Sequence, residues 1–197
     1  MLRFLRPIRI LLLALLVIAV PPAVYAGYLG LTGNVHTVAA GMLYRAGQMD
    51  ADDLAALIQR HHIRTVINLR GAHPDDTWYR QEAAAVSESG ARYVPIAISS
   101  RKEPDAAQMA QIVNALQQSP QPILVHCQGG ADRTGLVSAL FQLVVSGTSK
   151  QQAEEQLGIA YGHIPALFVQ TKAMDRAFAS FAAYWATGAG RAVAGLD

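Results

Sequence analysis

One stretch of the chain carries residue types suited to covalent chemistry: Leu124-Val125-His126-Cys127-Gln128-Gly129-Gly130-Ala131-Asp132-Arg133-Thr134-Gly135. It holds the only cysteine of the 197 residues, two adjacent glycines, and an arginine six positions after the cysteine. An apolar run, Pro122 to Val125, leads in as a short buried strand, and a helical pattern from Leu136 to Val145 leads out. Such a strand–loop–helix unit aims loop amides and the positive end of a helix dipole at one small volume, which suits a phosphate or another oxyanion. The same dipoles favour a thiolate over a thiol, so the stretch reads as a thiolate nucleophile inside a phosphate cradle.

Each position has a physical reason. Gly129 and Gly130 let the backbone turn tightly and bring N–H groups to an anion. Gln128, Gly129, Gly130, Ala131, Asp132 and Arg133 then line the phosphate, with the Arg133 guanidinium as a planar fork for two equatorial oxygens. Cys127 attacks phosphorus, and water hydrolyses the resulting thiophosphate. His126 holds the loop by hydrogen bonding and supports the thiolate, and Thr134 donates its hydroxyl to the departing sulfur. This chemistry needs no metal and no cofactor. His36, His73 and His163 stand alone, and none has ligand-like spacing.

The elements that position this loop alternate. Met42 to Arg45 reads as a strand ending at Gly47. Asp50 caps a helix with Leu54, Leu57 and Ile58 on one face. Arg64 to Leu69 is a β-branched strand, and Asp75 or Asp76 starts a helix reaching Ser89. Ala91 to Ile98 gives another strand, and Pro104 suits the first turn of a helix ending near Gln118. After the cradle helix, Thr148 to Gln151 resembles a capping box opening a helix through Gln156. A last helix runs to about Trp185, its Phe168, Met174, Phe178, Phe181, Tyr184 and Trp185 packing into the core. This alternation implies an α/β fold, a central mostly parallel sheet flanked by helices, with the ligand loop at the carboxyl end of a central strand.

Composition narrows the partners. Three of the 16 basic residues, Arg3, Arg6 and Arg9, belong to the N-terminal leader, so the remainder carries 13 against 14 acidic residues. A nearly neutral body gives no basic face for nucleic acid. A single cysteine excludes an internal disulfide and a multi-cysteine metal site, and a redox sensor would want a resolving partner. A monomer is expected.

Ile10 to Leu31 is uncharged and long enough for the roughly 20 residues that cross a bilayer as a helix. The next basic residue after Arg9 is Arg45, so the positive-inside rule leaves the N-terminus cytoplasmic. The expectation is a single-pass inner-membrane anchor, making the N-terminal helix the membrane partner, with the catalytic body on the periplasmic side. A signal peptide cleaved after Val24-Tyr25-Ala26 would put the body in the periplasm as well. Gly27 to Ala40 reads as a juxtamembrane linker. The division expected is 1–33 for anchor or signal segment with linker, 34–186 for the catalytic domain and 187–197 for a flexible tail.

His126-Cys127-x5-Arg133-Thr134-Gly135 resembles the signature loop of the cysteine-based protein tyrosine phosphatase superfamily, nearest its dual-specificity and bacterial branch. Leu43 to Gln48 and Thr65 to Arg70 resemble early segments of bacterial members. The resemblance implies a phosphocysteine intermediate, with phosphotyrosine, phosphoserine or phosphothreonine proteins as default substrates. It also implies an aspartate general acid on the loop after the strand at Tyr93 to Ile98, where this chain reads Ser99-Ser100-Arg101-Lys102-Glu103-Pro104-Asp105. Asp105 or Glu103 could serve, although a helix-start carboxylate is the ordinary role of either. Asp132 is a rival within the loop, because Asp-Arg-Thr-Gly resembles phosphatases acting on inositol lipids. Asp75 and Asp76 are a third option. With the anchor, Asp132 also raises an alternative substrate, a phospholipid or lipid-linked phosphate. A catalytically silent phosphate-binding module would want Cys127 or Arg133 lost, and both are present.

Overall fold

The structure is a computed structural model that describes residue 17 and residues 20–188. The chain divides into two units, Met1–Thr32 and Gly33–Asp197. In the first, residues 20–31 are helical (α1), closed by Thr32, whose hydroxyl donates to the Tyr28 carbonyl at 2.9 Å. Residues 10–16, 18 and 19 of the expected membrane span lie outside the described residues. Among the described residues no helix is long and apolar enough to cross a membrane.

The second unit is built on five strands: β1 (His36–Ala39), β2 (Leu43–Ala46), β3 (Thr65–Asn68), β4 (Arg92–Pro95) and β5 (Ile123–His126). Their order is β1-β2-β5-β3-β4, with β1 antiparallel and every other pairing parallel. The linker expected over Gly27–Ala40 is therefore corrected: α1 runs to residue 31 and β1 forms the sheet's antiparallel edge. Thr37 and Val38 supply the β-branched residues that such an edge prefers.

The strands β2, β3 and β5 are buried throughout, as parallel strands covered on both faces must be. Alternation divides them between two cores. Leu43, Ile67 and Val125 pack with Ile112, Leu116, Phe141 and Phe178, while Tyr44, Val66 and Leu124 pack with Leu54, Leu57, Ile58 and Val86. The helices in between are α2 (Ala51–His61), α3 (Thr77–Glu88) and α4 (Ala106–Gln118), followed by α5 (Asp132–Val144), α6 (Lys150–Glu154) and α7 (Lys172–Ala186). Register puts Ala46, Asn68 and His126 side by side at the carboxyl end of the sheet, so the loops after β2, β3 and β5 leave from one row.

Several boundaries shift for local reasons. Asp105, not Pro104, opens α4: its side chain accepts from the Gln108 amide at 2.8 Å in a full capping box. Ser149 pairs in the same way with Gln152, and α6 stops at Glu154 in a 3-10 turn. The helix after the cradle starts at Asp132 rather than Leu136, so Asp132, Arg133 and Thr134 form its first turn. In the last helix Met174, Phe178 and Trp185 are buried, whereas Phe168 lies before it and is exposed. Residues 189–197 of the expected tail fall outside the described residues.

Candidate active site

The loop from Cys127 to Arg133 is shaped by what binds its carbonyls. The Gln48 amide donates to the Gln128 carbonyl at 3.0 Å, and Asn34 Nδ2 to that of Gly129 at 2.9 Å. Arg45 Nη2 donates to the carbonyls of Gly130 at 2.9 Å and Ala131 at 3.2 Å. A peptide whose C=O is tied to the framework presents its N–H on the opposite side, so four consecutive carbonyls held outward turn their amides toward the loop interior. Gly130 is indispensable to this path: its φ is +70°, and a Cβ there would sit 2.6 Å from the Gly47 nitrogen. Gly129 is different from expectation, because a Cβ at that position meets nothing within 4 Å.

Arg45 is the buried brace of the loop. Its Nη1 donates to the Gln156 carbonyl and side-chain oxygen at 2.7 and 2.9 Å, and its guanidinium lies 3.8 Å over the Tyr161 ring. Burial pulls its pKa down to about 10, against opposing contributions from Tyr161 and Cys127, so it remains a cation at neutral pH.

Cys127 is a free, buried thiol at the carboxyl end of β5. Arg133 Nη1 donates to the carbonyls of Leu69 at 3.3 Å and Ile98 at 3.4 Å, which fixes the guanidinium between the ends of β3 and β4. Its Nε and the Thr134 hydroxyl are buried with no hydrogen-bond partner among the described residues. Unmade bonds of this kind are costly in a finished interior and signal a missing acceptor. An oxyanion for Arg133 and a thiolate for Thr134 fit the donors present.

His126 holds the loop through a buried carboxylate. Its Nε2 lies 3.0 Å from Glu82 Oε1, and its Nδ1 lies 3.4 Å from the Cys127 carbonyl. Glu82 also accepts from Asn68 at 2.8 Å, from the Tyr93 hydroxyl at 2.5 Å and from Gln48. Burial pushes the Glu82 carboxyl up, but the His126 bond and charge and the Tyr93 and Gln48 bonds outweigh it and hold it below the usual range. Burial and Glu82 together raise the Tyr93 hydroxyl. A lowered carboxyl stabilises the fold above its unfolded titration range and loses that contribution as pH falls through its folded value. Glu82→Gln should therefore cost about 2 kcal/mol in urea unfolding at neutral pH, the scale of taking a charged acceptor from several buried donors. The gap to wild type should narrow in acid below the ordinary glutamate range.

Of the acid candidates, only Asp132 belongs to the loop. It meets a residue that sequence reading left isolated: His163 Nδ1 lies 2.7 Å from Asp132 Oδ1, and Nε2 lies 3.1 Å from Asp175 Oδ2. Asp105 is the exposed cap of α4, and its side chain accepts from the Gln108 amide. Glu103 pairs with Arg176 at 2.5 Å, and Asp76 accepts from the Trp78 indole at 3.0 Å at the start of α3. Among the described residues no group of three or more His, Cys, Asp or Glu side chains could hold a metal ion. Sequence reasoning missed Asn34, Arg45, Glu82 and His163. A usable signal existed for two of them: Arg45 is a cation inside an apolar strand, and Glu82 shares a helix face with Ala85 and Val86.

Comparison with known proteins places this geometry. Residues 30–173 match a family described as DSP-PTPase phosphatase fused to NAD+ kinase. The dual specificity protein phosphatase TpbA of Pseudomonas aeruginosa (strain UCBPP-PA14) is 31% identical over 117 residues, which cover 58% of this chain and 49% of TpbA. The chain thus spans about half the length of the relatives it matches. The crystal structure of P. aeruginosa TpbA superposes with a TM-score of 0.58 at 24% identity, covering 79% of this chain and 92% of that one. A cysteine-to-serine TpbA in complex with pTyr gives a TM-score of 0.55 at 23% identity, covering 76% and 90%.

Proposed function

Because this chain belongs to the DSP-PTPase family of cysteine phosphatases, we propose that it hydrolyses phosphomonoesters through a phosphocysteine intermediate. The observation that carries the reading is the pairing of a buried free thiol with a loop whose four carbonyls from Gln128 to Ala131 are tied to the framework, beside an arginine whose Nε has no partner among the described residues. Cys127 Sγ attacks phosphorus as the P–O bond to the leaving oxygen breaks, and the electron pair goes to that oxygen. Loop amides and Arg133 hold the spread charge of the transferring phosphoryl group, usually the largest catalytic contribution. Water then attacks the phosphocysteine, phosphate leaves, and the Thr134 hydroxyl stabilises the returning thiolate.

Phosphorylated proteins are the default substrate, phosphotyrosine first, since the related TpbA is a dual specificity protein phosphatase that has been crystallised with pTyr. A second reading, a phospholipid or lipid-linked phosphate, is favoured by one feature of the segment that carries His163. Ile159, Leu167, Phe168 and Val169 are 67%, 69%, 61% and 64% exposed there, an apolar surface suited to a bilayer. The leader supports placing residues 34–186 across the inner membrane from the cytoplasm, and a periplasm-dependent reporter fused after Asp197 tests that placement.

The deciding experiment is a substrate panel on the full chain: p-nitrophenyl phosphate, phosphotyrosine and phosphoserine peptides, and vesicles containing phosphoinositides. Turnover of the aryl ester with phosphotyrosine peptides foremost supports the protein reading. Preference for vesicles over peptides replaces it with the lipid one, and inertness toward the whole panel removes both.

A further inference from the structure

Three side chains distant in sequence meet at the first turn of α5. His163 is buried, and each of its ring nitrogens faces a carboxylate: Asp132 at 2.7 Å from Nδ1, and Asp175 at 3.1 and 3.2 Å from Nε2. A neutral imidazole has one N–H and one lone pair, so against two ionised carboxylates either tautomer would set a nitrogen lone pair against a carboxylate lone pair. Only the imidazolium donates at both ends. Burial pulls the ring toward neutrality, but the hydrogen bonds and charges of Asp132 and Asp175 outweigh it, and the ring is held above its ordinary titration range.

Other charged groups nearby are engaged elsewhere. Arg133 is held by the Leu69 and Ile98 carbonyls, Arg176 pairs with Glu103, and Arg45 lies over Tyr161, whose ring His36 meets edge-on. Lys172 at the start of α7 makes no hydrogen bond to the ring either. The two carboxylates, working against burial, are what hold the ring charged.

We propose that His163 is a positioning residue that stands as a cation between Asp132 and Asp175 and keeps the loop aspartate ionised, so that Asp132 forms part of the charged wall of the cradle and does not donate a proton to the leaving group. The proposal rests on the phosphatase reading above and sharpens its substrate class. As Sγ–P forms and P–O breaks, the electron pair stays on the leaving oxygen with no proton from Asp132. Asp105 caps α4, Glu103 pairs with Arg176 and Asp76 accepts from the Trp78 indole, and neither these side chains nor that of Asp75 hydrogen-bonds the loop. A phenolate departs readily in this way and takes its proton from water afterwards, whereas an alkoxide, a much stronger base, departs far more slowly. The preferred substrates are aryl phosphates such as phosphotyrosine, over phosphoserine and other alkyl esters.

Two measurements test this. The first compares kcat/KM, which reports the steps through phosphocysteine formation, for wild type and Asp132→Asn on p-nitrophenyl phosphate and on a phosphoserine peptide. Asparagine keeps the acceptor oxygen for His163, and both substrates should slow by the same factor to within about threefold, because no proton donor is removed. A loss on the alkyl ester about a hundredfold greater than on the aryl ester would make Asp132 the acid and overturn the proposal. The second is a nitrogen-15 NMR titration of His163, which needs no turnover. Both ring nitrogens should carry protons at neutral pH, and Asp175→Asn should lower the midpoint. A single N–H at neutral pH in wild type overturns the inference even if the enzyme works. A chain that hydrolyses nothing yet shows the doubly protonated ring sinks the phosphatase reading and leaves the cation assignment standing.

Discussion

Cys127→Ser should abolish turnover while leaving the cradle able to bind phosphate. The substitution replaces sulfur by oxygen at a buried site, so Gly130, Arg45 and the outward-held carbonyls keep the loop in place. A serine hydroxyl is a far weaker acid than a thiol and stays protonated, a poor nucleophile without an adjacent base. Removal of a sole covalent nucleophile lowers the rate on the order of 10⁵-fold or more. The contacts to phosphate come from backbone amides and Arg133, none of which the change touches. Calorimetric titration of the variant with a phosphotyrosine peptide should therefore give binding at least as tight as the wild-type KM implies. Residual hydrolysis of p-nitrophenyl phosphate within a hundredfold of wild type, after contaminating activity is excluded, would mean that water attacks phosphorus directly and that Cys127 is only part of the wall, a mechanism in which catalysis rests on the electrostatic cradle alone.

The loop is legible in the sequence because the residues proposed as nucleophile, turn glycine, phosphate arginine and hydroxyl are contiguous, all between His126 and Gly135. The central strands are legible for a similar reason. Short apolar runs such as Thr65 to Asn68 and Ile123 to His126 are buried on both faces, and no alternation is needed to find them. What supports the loop is a different matter. Asn34 bonds Gly129 across 95 positions and Arg45 bonds Gly130 across 85, and neither pairing leaves a local pattern. Edge strand β1 is only four residues long and mostly half-buried, so His36 to Ala39 resembles a linker until its partner strand is present. The start of α5 hides for the opposite reason. Asp132 to Gly135 contains residues that ordinarily favour loops, yet the Gly135 amide already bonds the Ala131 carbonyl at 2.8 Å. A first turn with unpaired amides is tolerable where an anion is to be bound, which is the role proposed for this helix start.

His163 shows how far the same limitation extends. The segment Tyr161-Gly162-His163-Ile164-Pro165 reads as a helix breaker, and its histidine has no ligand or acid within a helical turn. Its partners sit on two different helices, so only the packing of α5 against α7 brings Asp132 and Asp175 to opposite sides of one ring. A loop aspartate that looks like a proton donor when read alone thus acquires a fixed counter-charge in the fold. Residue type nominates a catalytic group, and its neighbours decide which protonation state it brings to the reaction.

Arg133→Lys should lower kcat/KM on the order of 10³-fold with the net charge unchanged, the upper range for losing one preorganised oxyanion donor. The guanidinium here does two jobs that an ammonium does not combine. Nη1 is spent on the Leu69 and Ile98 carbonyls, which orients the plane, and Nε is left without a partner for a phosphate oxygen. Lysine is a point charge on a flexible stem: if it satisfies the two carbonyls it turns from the phosphate, and if it follows the phosphate it leaves those carbonyls without their donor. The penalty should fall on both ground state and transition state, raising the inhibition constant for inorganic phosphate as well as lowering kcat. Thermal unfolding should move by no more than a few degrees, because the bonds lost are two long ones, at 3.3 and 3.4 Å. A lysine variant within tenfold of wild type would mean that charge alone suffices, that the fork geometry at Nε is incidental, and that the amides of Gln128 to Asp132 carry the phosphate. Such a result would move the weight of catalysis from Arg133 to the loop that Arg45 braces, and Arg45→Met would then become the substitution with the larger effect on turnover.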